Sequence, residues 1–276
     1  MHVVDPNRFP LDAKAQYKPH PHTLDDARTF YNGLGIQNMV LVQPSIYGND
    51  NSCMLEALKE LTPKHGRAVV TFDPNAISKD TLQEWHDIGV RGVRINLVSV
   101  GREVSDAELQ QELEQYARII KPYNWVLQLY APMKLADSLV KIVPDLGVKV
   151  CLDHFGSPAL PKPYDPTKAI RPYALPGFES LITMLRTNTW VKLSAPYRLS
   201  QDPNMRDLDA IGRELVKEAS NRVVYATDWP HTRFENINSI PFIEQCYEWC
   251  GTDTGLAQKL FQTNAEELWD VSTASR

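Results

Sequence analysis

The chain has 276 residues, a net charge of −5 and 43% hydrophobic residues. These values are ordinary for a packed domain, so we expect one domain over residues 1–276 that folds without a disulfide or a structural metal. No basic block is present, so we expect neither nucleic acid nor an anionic membrane as a general partner. Four cysteines without CxxC spacing, no signal-peptide pattern and no run of about 20 apolar residues predict a cytoplasmic protein.

Short β-branched runs alternate with amphipathic helical stretches along the chain. The runs are nearly continuous in apolar residues, which is typical of parallel strands covered on both faces. Helix start signals lie between them, such as Thr23 before Asp25 and a capping box that begins at Ser105. We predict a short first strand at residues 1–4, followed by strands at residues 39–43, 67–72, 90–95, 125–130, 148–152, 190–194 and 222–227.

Eight strands that alternate with helices predict an α/β fold, a (β/α)₈ TIM barrel somewhat distorted by its short first strand. A doubly wound parallel sheet is the alternative. That fold usually carries a glycine-rich phosphate-binding turn after its first strand, whereas the turn after Gln43 reads Pro-Ser-Ile-Tyr-Gly.

Polar residues at the strand ends are the candidates for chemistry, because barrel active sites lie where strands meet the following loops. Asp228 and His154 each follow a buried apolar run. A buried carboxylate is costly unless it is paired, bound to metal or used in chemistry, so Asp228 could activate a water or ligate a divalent ion. His154 could polarise a carbonyl or bind metal. The structural interpretations are a bracing salt bridge for Asp228 and a backbone-bonded histidine for His154.

Arginines and tyrosines at the same strand ends are predicted to bind the substrate. Arg94 and Arg198, with Arg91 as a weaker candidate, could clamp carboxylates through paired N–H groups. Tyrosine hydroxyls could donate to the same ligand, although isolated tyrosines more often line the edge of a core. The other candidate binding residues are Ser45, Tyr47, Tyr130, Tyr197 and His231.

Several motifs together resemble the amidohydrolase-2 family over nearly the whole chain. Residues 225–231, Tyr-Ala-Thr-Asp-Trp-Pro-His, are similar to its [GS]-[ST]-D-W-P-H signature, and residues 152–156, Leu-Asp-His-Phe-Gly, to its [LI]-D-H-x-[GA] motif. Residues 2–6 resemble the end of its D-x-H-x-H-x-[FV]-D-P motif. Residues 42–51, 91–94 and 194–198 resemble the branch of 2-pyrone-4,6-dicarboxylate lactonases.

This resemblance implies a distorted TIM barrel that opens a carboxylated lactone. It implies that Asp228 takes a proton from the attacking water, that His154 assists at the lactone carbonyl, and that Arg94 and Arg198 hold carboxylates of a small substrate. Two alternatives remain open: a metal-dependent, non-oxidative decarboxylase of an aromatic acid, and a degenerate barrel that only binds a carboxylate ligand. Nothing in the sequence indicates NAD, a flavin or pyridoxal phosphate.

The N-terminal motif departs from the family pattern, because Met1 falls between the two histidines of H-x-H and only His2 remains. Either the natural reading frame begins upstream or part of the ancestral site is lost. We expect His2 in the catalytic set but no cofactor; if a divalent ion such as zinc or manganese binds, its ligands are His2, His154 and Asp228. His20 and His22, in a proline-rich loop, form a weaker metal motif.

Overall fold

The computed structural model describes residues 1–234 and 236–271. Seven parallel strands form one curled sheet in which every strand neighbours the next one along the chain. This order, with helices between the strands, is the arrangement of a distorted TIM barrel. The strands are β1 (Met39–Val42), β2 (Gly66–Val70), β3 (Val90–Asn96), β4 (Val126–Tyr130), β5 (Lys149–Leu152), β6 (Thr189–Leu193) and β7 (Val223–Tyr225).

The helices pack against the outer face of this sheet, where most of the buried apolar residues lie. Both predicted helix starts are confirmed, since the hydroxyls of Thr23 and Ser105 accept the backbone N–H of the third helical residue. Within the described ranges, no helix is long and apolar enough to cross a bilayer. The helices are α1 (Leu24–Gly33), α2 (Ser52–His65), α3 (Lys79–Asp87), α4 (Asp106–Ile120), α5 (Ala136–Leu146), α6 (Phe178–Leu185), α7 (Pro196–Leu199), α8 (Arg206–Glu218), α9 (Ile240–Cys250), α10 (Thr254–Gln258) and α11 (Asn264–Leu268).

Residues 1–4 do not form the predicted first strand, so the described sheet has seven strands rather than eight. The Met1 carbonyl accepts a hydrogen bond from the Val42 N–H at 2.8 Å, and the His2 N–H donates to the Trp229 carbonyl at 2.8 Å. Val4 then forms an isolated antiparallel bridge with His22. The segment thus links β1 to the loop after β7, but it turns away after only a few residues and has too little backbone for a ladder.

The inner face of the sheet changes from apolar to polar towards the carboxyl ends of the strands. Because alternate residues of a strand share a face, the inner positions of β4 read Val126, Gln128 and Tyr130, and those of β6 read Trp190 and Lys192. A separate buried apolar cluster joins residues of the sheet to Leu268 and Trp269 of the C-terminal segment; it consists of Val42, Val69, Val126, Cys151, Trp190, Val224, Leu268 and Trp269. The fold therefore concentrates its inner polar groups at the carboxyl end.

Candidate active site

A pocket opens at the carboxyl ends of the strands. It lies where barrel enzymes carry their chemistry, above the polar part of the inner face. Its walls come from the N-terminal segment and from the loops that follow β1, β3, β5, β6 and β7. The lining residues are His2, Tyr17, Pro44, Ser45, Arg94, Ser99, Tyr130, His154, Arg198, Asp228, Thr232 and Arg233.

The chain leaves three neighbouring strands through left-handed backbone. His154 after β5, Ala195 after β6 and Asp228 after β7 have φ values of +51°, +51° and +56°. This conformation costs a residue other than glycine roughly 1–2 kcal/mol, so the surrounding contacts must hold it. The sharp turns bring His154 and Asp228 to the pocket wall directly after their strands.

Asp228 is held through one of its two carboxylate oxygens. Its Oδ2 accepts hydrogen bonds from the Tyr197 hydroxyl at 2.6 Å and from Nε of Arg198 at 2.8 Å. Its Oδ1 lies 4.0 Å from Nε2 of His2. One oxygen is therefore used for orientation, while the other faces a histidine across the pocket.

The charge of Asp228 is strongly stabilised although the side chain is only 8% exposed. Burial would raise the pKa of this carboxyl. His154 and His2, which become cationic only in acid, together with Arg198 and the hydrogen bond from Tyr197, outweigh burial and hold the pKa well below its usual range. The charged form of Arg198 is stabilised in turn: burial would lower the pKa of its guanidinium, but Asp228 raises it by more. Asp228 is therefore ionised throughout the neutral range.

His2 presents an unprotonated nitrogen to Asp228. Burial, aided by Arg94, lowers the pKa of His2 to about 3, so its ring is neutral at pH 7. Its Nδ1 lies 2.7 Å from the Val42 carbonyl, which can only accept, so Nδ1 carries the single ring proton. The contact with Asp228 is thus not an ion pair at neutral pH; Nε2 and Oδ1 are two facing acceptors.

His154 is also buried and neutral. Burial lowers its pKa more than the carboxylates of Asp228 and Asp153 raise it. Its Nδ1 lies 2.8 Å from Oγ of Ser194, and its ring meets the Tyr130 ring edge to face with centroids 4.7 Å apart. These two contacts fix the plane of an imidazole that lines the pocket.

A buried ionic network supports the pocket from below. Asp153 is 2% exposed and lies 3.1 Å from Nζ of Lys192 and 3.3 Å from Nη2 of Arg94. Nε2 of Gln128 donates to both of its oxygens, at 2.9 and 3.1 Å. Burial would raise the pKa of Asp153, but Lys192 and Arg94 hold it well below its usual range. The network fixes Arg94 and leaves one excess positive charge beneath the pocket.

The structure brings together His2, Ser45, Arg94, Tyr130, His154, Arg198 and Asp228, seven of the residues that the sequence pointed to. Tyr197 does not line the pocket but contacts Asp228 directly. The Tyr130 hydroxyl makes no hydrogen bond within the described part of the chain. It is therefore a free donor for a ligand.

Three predicted binding residues lie away from the pocket. Arg91 is the second residue of β3, at the opposite end of the strand, where its Nη1 donates to the Val90 and His86 carbonyls. The Tyr47 hydroxyl accepts the Asp5 N–H at 3.0 Å and braces the N-terminal segment. His231 is buried against the Tyr197 ring, with centroids 5.5 Å apart.

Sequence reasoning missed Tyr17, Ser99, Thr232 and Arg233, which complete the pocket wall. Nη2 of Arg198 donates hydrogen bonds to the carbonyl oxygen and to the hydroxyl oxygen of Thr232, at 3.0 and 3.3 Å. The Arg233 guanidinium lies 4.4 Å over the Tyr17 ring, which joins two loops that are distant in sequence. Thr232 and Arg233 directly follow the Asp-Trp-Pro-His motif, and this position was the one sequence signal that could have indicated them. No sequence signal indicated Tyr17 or Ser99.

The predicted metal ligands do not fit a metal centre as they are placed. One oxygen of Asp228, Oδ1, lies 4.0 Å from Nε2 of His2. The other oxygen of Asp228 is engaged by Tyr197 and by the cationic Arg198. Across residues 1–234 and 236–271, no three His, Cys, Asp or Glu side chains are grouped to hold an ion. This includes His20 and His22, of which His22 packs its ring against Trp229.

The buried neutral histidines predict a loss of stability on mild acidification. The unfolded chain protonates its histidines near pH 6.5, whereas His2 and His154 resist protonation when folded. As the pH falls below about 6.5, the unfolded state binds more protons, and each extra proton lowers the unfolding free energy by about 1.4 kcal/mol per pH unit. Urea unfolding at several pH values measures this. A His154→Asn variant should show a shallower decline, and a stability unchanged between pH 7 and 5 would contradict the expectation.

The curled parallel sheet with a histidine and a carboxylate at its strand ends is the architecture of an amidohydrolase. The amidohydrolase family model (Amidohydro_2) matches residues 1–271, and the chain belongs to this family. Within the family, it is 30% identical to a 2-pyrone-4,6-dicarboxylate hydrolase of Comamonas testosteroni, over 97% of this chain and 88% of the relative. It is 29% identical to a 4-sulfomuconolactone hydrolase of Hydrogenophaga intermedia, over 87% and 76%.

Solved structures share the fold over nearly the whole chain. A Pseudomonas putida protein described as a 2-pyrone-4,6-dicarboxylic acid hydrolase is 30% identical, with 98% of this chain and 95% of that chain covered and a TM-score of 0.78. An Acinetobacter baumannii protein crystallised with citric acid is 24% identical, with 98% and 97% covered and a TM-score of 0.80. The family expected from the sequence motifs is thereby confirmed. The expected α/β barrel-like fold is confirmed as well, but with seven strands in the described sheet rather than the predicted eight.

Proposed function

We propose that the protein hydrolyses a lactone that carries carboxylates, a substrate such as 2-pyrone-4,6-dicarboxylate. The observation that carries this proposal is the state of Asp228: an ionised, buried carboxylate whose Oδ2 is held by Tyr197 and Arg198 and whose Oδ1 is directed at the pocket beside His2. Relatives that open a pyrone dicarboxylate and a sulfomuconolactone support the same reaction class.

The spacing of Asp228 and His2 suits the nucleophilic water. A water that donates one hydrogen bond of about 2.8 Å to each of two acceptors holds them roughly 4.4 Å apart. The 4.0 Å between Oδ1 and Nε2 is close to this value. Both atoms are acceptors at neutral pH, so they would accept hydrogen bonds from both O–H groups of the water and leave its lone pairs free for attack. Asp228 Oδ1 is the general base in this arrangement.

His154 supplies the complementary role at the carbonyl. As water attacks the lactone carbonyl carbon, Asp228 takes one proton and negative charge develops on the carbonyl oxygen. A neutral imidazole N–H can donate to that oxygen, and the Tyr130 hydroxyl lines the same pocket. Collapse of the tetrahedral intermediate breaks the bond to the ring oxygen, which receives the proton from Asp228. The product is a ring-opened hydroxy acid.

The charge of the pocket favours an anionic substrate. Arg94, Arg198 and Arg233 line it with one carboxylate, that of Asp228, while His2 and His154 are neutral. The pocket therefore carries two excess positive charges in a chain whose net charge is −5. Two carboxylates on the lactone would balance this excess, with Arg94 and Arg198 as their partners.

A hydrolysis assay with pyrone dicarboxylate and its mono- and dimethyl esters tests the proposal. We expect turnover of the dicarboxylate and a KM that rises about tenfold for each carboxylate that is esterified, because each loses a charged hydrogen bond worth about 1.5 kcal/mol. Equal KM values for all three compounds would contradict the carboxylate clamp. No hydrolysis, together with tight binding of the dicarboxylate, would favour a barrel that only binds its ligand.

Metal analysis and a chelator complete the test. Because the residues present do not fit a metal centre, we propose that the site works without cofactor, and activity should persist after chelation. Activity that follows bound zinc or manganese would contradict this and favour the decarboxylase alternative.

We take residues 1–4, which hydrogen-bond both to β1 and to Trp229, as occupying the place of the first strand of a (β/α)₈ barrel. The location of a small-molecule enzyme of this kind in the cytoplasm stays a prediction from the sequence.

A further inference from the structure

Ser194 is a buried hydroxyl with a single partner. It is 1% exposed and directly follows β6, the neighbour of β5, from which His154 emerges. Its Oγ lies 2.8 Å from Nδ1 of His154 and forms no other hydrogen bond with any residue in the described ranges. The hydroxyl proton therefore has one acceptor within reach, the imidazole nitrogen.

Two tautomers of His154 are conceivable, and they differ in the fate of the serine proton. If Nδ1 carried the ring proton, it would donate to Oγ, and the buried O–H of Ser194 would be left without an acceptor. A buried unsatisfied donor costs about 1–3 kcal/mol. If Nδ1 is unprotonated, it accepts the O–H and both groups are satisfied. Hydrogen-bond accounting thus favours the tautomer with the proton on Nε2.

The free side of the ring faces the pocket. His154 lines the pocket, and its Nε2 forms no hydrogen bond to protein within the described residues. We propose that Ser194 is a positioning residue: by donating to Nδ1 it keeps His154 in the neutral tautomer whose Nε2–H points at the substrate carbonyl. The inference deepens the proposed lactone hydrolysis and rests on it for its catalytic meaning, although the tautomer itself does not.

His2 and His154 are thereby held in opposite tautomers. The Val42 carbonyl can only accept, which places the proton of His2 on Nδ1 and leaves Nε2 as an acceptor for the water. Ser194 can donate, which leaves the proton of His154 on Nε2 as a donor for the carbonyl oxygen. The group behind each ring thus makes Nε2 of His2 a hydrogen-bond acceptor and Nε2 of His154 a hydrogen-bond donor in the same pocket.

Nitrogen NMR of the protein labelled with ¹⁵N-histidine tests the tautomer directly. Long-range ¹H–¹⁵N correlations near pH 7 distinguish protonated from unprotonated ring nitrogens, and a His154→Asn variant identifies the His154 signals. We expect an unprotonated Nδ1 and a protonated Nε2 in the wild type. In Ser194→Ala we expect signals shifted towards a mixture of tautomers. A protonated Nδ1 in the wild type would overturn the proposal whatever the activity.

Kinetics and a matched control complete the experiment. Ser194→Ala should lower kcat about tenfold and change KM less than about twofold, because the lost bias affects the developing oxyanion rather than substrate binding. Ser239→Ala removes another buried serine hydroxyl, 3.4 Å from Nε2 of His231 and outside the pocket, and should leave the His154 signals and kcat unchanged. An unchanged tautomer and kcat in Ser194→Ala would also overturn the proposal. A wild type with the expected tautomer but no lactone hydrolysis would instead refute the proposed function.

Discussion

Replacing Asp228 by asparagine is expected to lower kcat for lactone hydrolysis about 10³-fold, the usual contribution of a general base. The amide oxygen of asparagine can still accept from Tyr197 and Arg198, which now hold Oδ2 at 2.6 and 2.8 Å, so the loop should keep its shape. Only the ability to take a proton from water is removed. We therefore expect KM to change by no more than a few fold, measured under steady-state conditions.

Tyr197→Phe is the matched control for this variant. It removes one hydrogen bond to the same oxygen but leaves the carboxylate ionised by Arg198, so kcat should fall only about tenfold. The melting temperatures of both variants show whether the buried site remains folded. A near-normal kcat in Asp228→Asn would refute the role of Asp228 as base.

Asp153→Asn is expected to reduce the free energy of unfolding by about 3–5 kcal/mol, the cost of breaking a buried ion pair by removing one partner. Asp153 is 2% exposed and is the one carboxylate in contact with both Arg94 and Lys192 among the described residues. Asparagine keeps the volume but leaves two buried cations without a counter-charge. Urea unfolding at pH 7 measures the effect.

A double variant distinguishes charge balance from packing. Adding Lys192→Met to Asp153→Asn removes one of the two unpaired cations while keeping an unbranched side chain of similar length. The double variant should be more stable than Asp153→Asn alone. Its loss of unfolding free energy should therefore be smaller than the sum of the losses in the two single variants. If the two losses merely add, the network is not held together by charge.

Sequence motifs predicted the central residues of the pocket better than they predicted its boundaries. Asp228 and His154 were predictable because each polar residue directly follows an apolar strand, and the structure places both in the pocket wall. Arg91 shows the limit of this reasoning. It lies in the same short run as Arg94, three positions away, but it is the second of the seven residues of β3 and belongs to the amino end of the strand.

The resemblance to a family also could not show which carboxylates support the pocket and which face the substrate. Asp153 stands next to His154 in the motif, yet it is committed to Arg94 and Lys192 beneath the pocket rather than to chemistry. Tyr17 and Arg233 meet across more than two hundred positions of sequence, and no local pattern predicts such a contact. These assignments depend on how neighbouring strands are paired and staggered.

The sequence by itself determined the alternation of strands and helices, the family, and the strand ends that carry His154 and Asp228, because burial imposes an apolar pattern that polar residues visibly interrupt. Only the tertiary structure decided that seven strands form the described sheet and that Arg91, Tyr47 and His231 lie outside the pocket. The groups that determine which ring nitrogen is protonated in His2 and in His154 are likewise visible only in the tertiary structure. Protonation states and pocket walls depend on groups brought together from distant positions, such as the Val42 carbonyl behind His2 and the Ser194 hydroxyl behind His154.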